Sequence, residues 1–309
     1  MTLEAMPTVK PATYIFLFLV VFSKTTHGQQ FGKFWQDVNY ANDTSIGHRM
    51  DIFLPRTPSD KHPAVLIVYG SAFFGNSLKH EAFKLFGKPL LNAGFAVVAV
   101  NHRSSRDTIF PAQIHDIKAA IRFVRAKATD YHIDTSFIGI TGYSSGGHLS
   151  AFAGTSGGVE QVSMGSALVD LEGKVGVHTG YNSAVNAVVD WFGPTDFLVM
   201  DSCGSAMVHN APDSPESILV GGAIQAHQEL CSLANPITYV DSNDPAFLIL
   251  HGDKDPLVPY CQSEMLHSAL LSHKVQSQLV IIADAKHGPG VFEPQYLQRM
   301  VDFFILQMR

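Results

Sequence analysis

The chain has 309 residues, 27 acidic against 21 basic, for a net charge of −6 with its histidines neutral. An acidic balance without a basic block excludes the electrostatic footprint of a nucleic-acid binder. The length suits one large α/β domain with a substantial core, and no internal repeat or low-complexity tract divides it.

Tyr14 to Phe22 is an unbroken apolar run, preceded by Lys10 and followed by small and polar residues up to Gln29. It is shorter than the roughly 20 residues that a bilayer-spanning helix requires. It has the length of a signal-peptide core, and small Thr26 and Gly28 place the expected cleavage before Gln29. Residues 1–28 are therefore expected to be a leader and 29–309 a single catalytic domain. An uncleaved anchor is the alternative, since Lys10 is the one basic residue before the run. Export also bears on the cysteines Cys203, Cys231 and Cys261. A bridge between Cys203 and Cys231 is expected, with Cys261 free; three free thiols are the other reading.

Phe34 to Arg56 reads as early antiparallel strands. Pro63 to Gly70 is a nearly continuous apolar run, as expected of a strand buried on both faces. A polar turn, 71–77, follows it. Next come a helix over about 79–92, a strand over 95–100, and a helix after Pro111 that carries Ile114, Ile117, Ile121 and Val124 on one stripe. Strand and helix alternating in this order imply right-handed parallel crossovers. In the loop after the second of these strands, Arg103 is expected to pair with a carboxylate such as Asp116, and His102 to pack locally.

Phe137 to His148 reads as a strand, a turn flanked by glycines, and a helix that opens on small residues. This is the GxSxG nucleophile elbow, with Ser144 at its tip. A serine hydroxyl is a weak nucleophile, so it must stand clear of the backbone, meet a base and sit near orphan amides. Ser145 cannot take the role, because Tyr143 stands where that frame needs glycine. In acyl transfer the oxyanion is held by the amide after the nucleophile and by amides from the loop after the earlier buried strand. Those are Ser145, and Ser71 with Ala72.

Two stretches, 156–184 and 201–236, are irregular and are expected to wall the substrate site. Between them Asn186 to Asp196 is a strand running into a turn. Pro245 to Pro259 is a further buried strand with an acidic loop. Asp255 is the expected carboxylate partner of the base and Asp253 its rival. A helix over about 260–272 and a strand over 279–282 lead to His287, the expected general base, before a last helix over 295–308. With 15 histidines in the chain, no single one carries weight alone; the order Ser144, Asp255, His287, each just past a strand, does.

From about Val38 onward the chain resembles the secreted α/β-hydrolase esterases of the feruloyl and acetyl-xylan type. The residues that carry the likeness are Phe110 to Ala120, the elbow with Gly146-Gly147-His148-Leu149, Trp191 to Asp196, Asp213 to Ser217, Asn235-Pro236-Ile237 and His251 to Pro259. The resemblance implies an α/β-hydrolase fold, a mostly parallel sheet with helices on both faces. It also implies a carboxylic-ester hydrolase acting on acyl groups of plant-type polysaccharides or their fragments. Tyr69-Gly70-Ser71-Ala72 departs from the HGGG common in related enzymes. A general short-chain carboxylesterase is the alternative, followed by a peptidase or a silent binding protein. No metal, organic cofactor, nucleic acid or stable membrane insertion after leader cleavage is expected, and the sequence leaves the oligomeric state open.

Overall fold

The computed structural model describes residues 31–308, so the expected leader and its cleavage point lie outside the described residues. In chain order, β1 (Phe34–Asn39), β2 (Arg49–Phe53) and β3 (His62–Val68) are followed by a helical stretch. This stretch is expected as one helix but is built as α1 (Lys79–Ala82), a wide π-type turn over Phe83–Gly87, and α2 (Lys88–Asn92). Pro89, which has no amide hydrogen to donate, sits at the start of α2, where a missing donor is tolerated.

Then come β4 (Ala96–Val100), α3 (Ala112–Ala126), β5 (Ile133–Tyr143) and α4 (Ser145–Thr155). The stretch read as irregular over 156–184 contains a small hairpin, β6 (Gln161–Met164) and β7 (Ala167–Asp170). It is followed by β8 (Ala187–Trp191). The second stretch holds α5 (Pro215–Val220) and α6 (Gln228–Ala234), and β9 (Ala246–Gly252), α7 (Cys261–Ser272), β10 (Ser277–Ile282) and α8 (Pro294–Gln307) complete the chain.

Eight strands form one sheet in the order β1-β2-β4-β3-β5-β8-β9-β10. The first two are antiparallel, as expected for the region before Arg56, and the rest pair in parallel from β4 through β10. Burial on both faces explains the apolar runs of the central strands. Along β4, Ala96, Val98 and Val100 join the layer under α3, α4 and α7, while Val97 and Ala99 join the layer under α2 and α8. The expected stripe of α3 packs into the first layer. This is the α/β-hydrolase architecture. No helix among the described residues is long and apolar enough to cross a membrane.

The disulfide differs from expectation. Cys203 pairs with Cys261, Cα atoms 6.3 Å apart, and Cys231 is the free, buried thiol. Nearness in sequence was misleading because tertiary contacts carry the 203–209 segment across to the loop after β9, where the Ala206 amide donates to the Pro256 carbonyl at 2.9 Å. Cys231 instead faces inward from α6, with burial raising its thiol to about 12.

Candidate active site

The close packing of the elbow demands its glycines. A Cβ on Gly142 would run into the Gly146 carbonyl, and one on Gly146 into the Tyr69 carbonyl. Ser144 adopts φ 55°, ψ −126°, outside the usual regions for a residue with a side chain. Its amide donates to the Trp191 carbonyl at 2.9 Å, which anchors the strained residue to the end of β8. Gly70 approaches from the loop after β3, where an added Cβ would lie 2.7 Å from that of Ser144.

The three residues expected at the ends of β5, β9 and β10 meet. The Ser144 hydroxyl donates to Nε2 of His287 at 3.0 Å, and Nδ1 of His287 donates to Oδ2 of Asp255 at 2.7 Å. The Asp255 side chain is fully buried, which by itself would raise its pKa. Hydrogen bonds from His251 and His287, together with the Val258 amide, outweigh burial and hold the carboxyl well below its usual range. Phe192 packs edge-on against the His287 ring, centroids 4.7 Å apart. The rival, Asp253, accepts instead from the Asp284 amide at 2.7 Å and so ties the loop after β9 to the one after β10.

His251, at the head of the motif that contains Asp255, shares the carboxylate. Its Nε2 donates to the Val258 carbonyl at 2.8 Å and lies 3.4 Å from Oδ2 of Asp255, while Ser263 donates to its Nδ1 at 2.7 Å. The HG pair just before the acid was the available signal. His102 and Arg103 stand elsewhere. His102 is buried against Tyr69, which lowers its pKa, and Arg103 forks onto Asp116 at 2.6–3.0 Å. His148 is buried beside Phe197 and pushed down to about 4, with its Nδ1 at 2.8 Å from the Pro194 carbonyl.

The three amides expected around an oxyanion are not equivalent. The Ser71 amide donates to Oγ of Ser145 at 2.9 Å and is already engaged. Ser145 begins α4, so its amide has no intrahelical acceptor, and the Ala72 amide donates to no group among the described residues. Ala72 and Phe73 hold φ of 51° and 64°, the left-handed conformations that glycine would adopt at lower cost.

Two depressions flank Ser144. One is a recess of about 70 Å³ whose walls include Phe73, Met207, His209, Glu216 and Leu257. The other is an open groove of about 310 Å³ bordered by Tyr143, Phe192, Gly288 and Phe292. The 201–236 stretch thus walls the recess as expected. The 156–184 stretch lines neither depression; its hairpin and following loop border surface hollows elsewhere.

A family model described as BD-FAE matches residues 50–270. A solved structure titled as a truncated form of a carbohydrate esterase from gut microbiota superposes with a TM-score of 0.87 at 45% identity, covering 90% of this chain and 97% of that one. A bifunctional GH43-CE protein of Bacteroides eggerthii superposes with a TM-score of 0.86 at 46% identity, over 89% of this chain and 35% of that one. Among curated proteins, Esterase LipQ of Mycobacterium tuberculosis is 31% identical over 69% of this chain and 47% of its own length. The chain spans about half the length of the curated relatives it matches.

Proposed function

The chain belongs to the BD-FAE family, and from that membership and the geometry of its site we propose that it hydrolyses carboxylic esters through a covalent acyl-enzyme. The observation that carries the reading is the unbroken donor chain from Ser144 through His287 to Asp255. Ser144 Oγ attacks the ester carbonyl carbon as its proton passes to Nε2 of His287. Asp255 fixes the tautomer of His287 and stabilises the imidazolium. Negative charge collects on the carbonyl oxygen, towards which the amides of Ala72 and Ser145 are available. The tetrahedral intermediate collapses, the alcohol leaves with the proton from His287, and water attacks the acyl-enzyme with the same base.

The names of its structural neighbours point to carbohydrate esters, and acetyl or feruloyl groups on plant-type polysaccharides are the substrates proposed. The open groove supports this, since Tyr143 and Phe292 offer aromatic surface beside Ser144 to an extended alcohol portion. The test is acyl release from acetylated xylan and from a feruloylated arabinoxylan fragment, beside p-nitrophenyl acetate and the Ser144→Ala variant. Release of acetate or ferulate by the native chain but not by the folded variant supports the reading; equal activity of the variant overturns it.

Export is part of the same proposal. The apolar run before Gln29 and the Cys203–Cys261 bridge both suit an oxidising destination. N-terminal sequencing of the chain recovered outside the expressing cell checks it: a start at Gln29 supports cleavage there, and an intact Met1 refutes it.

A further inference from the structure

The recess and the groove differ in what they can admit, and the difference resolves the acyl group. An apolar cavity of about 150 Å³ holds one benzene molecule; the recess, at about 70 Å³, is half that. A sugar or an aromatic acid therefore cannot enter it, and a large alcohol portion must lie in the groove. The acyl group is left with the recess.

The lining of the recess is unusual for an apolar pocket in holding a polar pair. His209 and Glu216 are both buried, and Nδ1 of His209 donates to Oε2 of Glu216 at 2.9 Å. Nε2 of His209 donates to the Leu257 carbonyl at 2.9 Å. Both ring nitrogens are thus occupied within the protein, and the pair is held in place. Met207, on the same segment, lines the recess without a polar group. That segment is fixed at Cys203 by the disulfide and at Ala206 by its hydrogen bond to Pro256. An acyl chain longer than two carbons would crowd a recess of about 70 Å³ and press on this rigid pair, displacing groups that are hydrogen-bonded to one another.

We propose that Met207 and the His209–Glu216 pair are the specificity-determining residues of this site and restrict it to acetyl esters. The inference rests on the ester-hydrolase reading and narrows it. The feruloyl group is excluded from the recess, and a polysaccharide or oligosaccharide alcohol occupies the groove.

The test compares kcat/KM of the native chain for p-nitrophenyl acetate, p-nitrophenyl butyrate and methyl ferulate with that of two variants. Met207→Ala enlarges the recess without removing a side-chain hydrogen bond. The double variant His209→Ala/Glu216→Ala removes the polar pair from the lining and leaves neither partner buried alone. The native chain is expected to favour acetate over butyrate by at least about tenfold and to leave methyl ferulate intact, and either folded variant to shrink that ratio by about fivefold or more. If the double variant fails to fold, Met207→Ala decides. Comparable native rates on acetate and butyrate, turnover of methyl ferulate, or an unchanged ratio in folded Met207→Ala would overturn the assignment. Native protein inert towards all three esters would overturn the esterase reading itself, and this inference with it.

Discussion

The backbone amide of Ser71 donates to the side chain of Ser145, 2.9 Å away. The loop after β3 is thereby tied to the helix that follows Ser144, and Ser145 offers two separate groups, a hydroxyl that holds the loop and an amide proposed for the oxyanion. Ser145→Ala keeps the amide and removes the tie. It is expected to lower kcat by about tenfold with little change in KM, less than the roughly 10²–10³ lost with a direct oxyanion donor. Steady-state kinetics on p-nitrophenyl acetate measure this, and an unaltered kcat would show that the loop is held without the tie.

Asp255 faces two imidazoles of unequal standing. His287 approaches its Oδ2 at 2.7 Å, whereas Nε2 of His251 is closer to the Val258 carbonyl, at 2.8 Å, than to the carboxylate, at 3.4 Å. Asp255→Asn is expected to reduce kcat by about 10⁴, because the base loses its tautomer control. His251→Gln is expected to reduce it by about tenfold, through a less firmly placed Asp255. Equal losses in the two variants would assign His251 a more direct part.

Asp190 lies beneath the elbow helix, fully buried, with Oδ1 accepting from the Gly193 amide and Oδ2 without a partner. Burial pushes its carboxyl up to about 7, with the Gly193 amide partly opposing. An unfolded chain releases that proton near pH 4, so between about pH 4 and 7 the unfolded state binds fewer protons than the native one. The contribution of Asp190 to stability is therefore full below pH 4 and declines as pH rises through that window. Urea unfolding at pH 5 and pH 8 is expected to show Asp190→Asn gaining a few kcal/mol on the native protein across the interval. A constant difference between the two proteins would mean that Asp190 is ionised in the fold.

The Cys203–Cys261 bridge closes a sequence separation of 58. Denatured but unreduced protein is expected to release one titratable thiol, from Cys231, and all three after reduction. Cys203→Ser is expected to lower stability by about 2–4 kcal/mol. Cysteine-specific peptide mapping that recovered Cys203 linked to Cys231 would contradict the pairing.

What the sequence made legible follows from what each signal depends on. Ser144, Asp255 and His287 were readable because each sits just beyond an apolar strand, and strand ends are marked locally by composition. The disulfide was not, since its partners are brought together by the path of the 203–209 segment over the loop after β9, which no local pattern records. The same holds for His209 and Glu216. The segment carrying them could be recognised as a wall, but which side chains line the recess beside Ser144 depends on short turns and on the placement of the short helix α5. The β6–β7 hairpin leaves little mark in the sequence, because its strands are four residues each and Leu168 points outward, 68% exposed. Ser71 and Ala72 are not distinguishable in sequence for a different reason: a free amide and an engaged one look alike until the neighbouring hydroxyl has a position.

In the sheet, β8 and β9 lie between β5, which ends beside Ser144, and β10, which leads to His287. Ser144 and His287 are consequently neighbours only after three parallel pairings, each closed by a long crossover, have found their register. Non-local pairings of this kind form slowly. During refolding, helical signal and collapse can therefore run ahead of any turnover, and the return of the proposed ester hydrolysis would act as a clock for the last strand to dock.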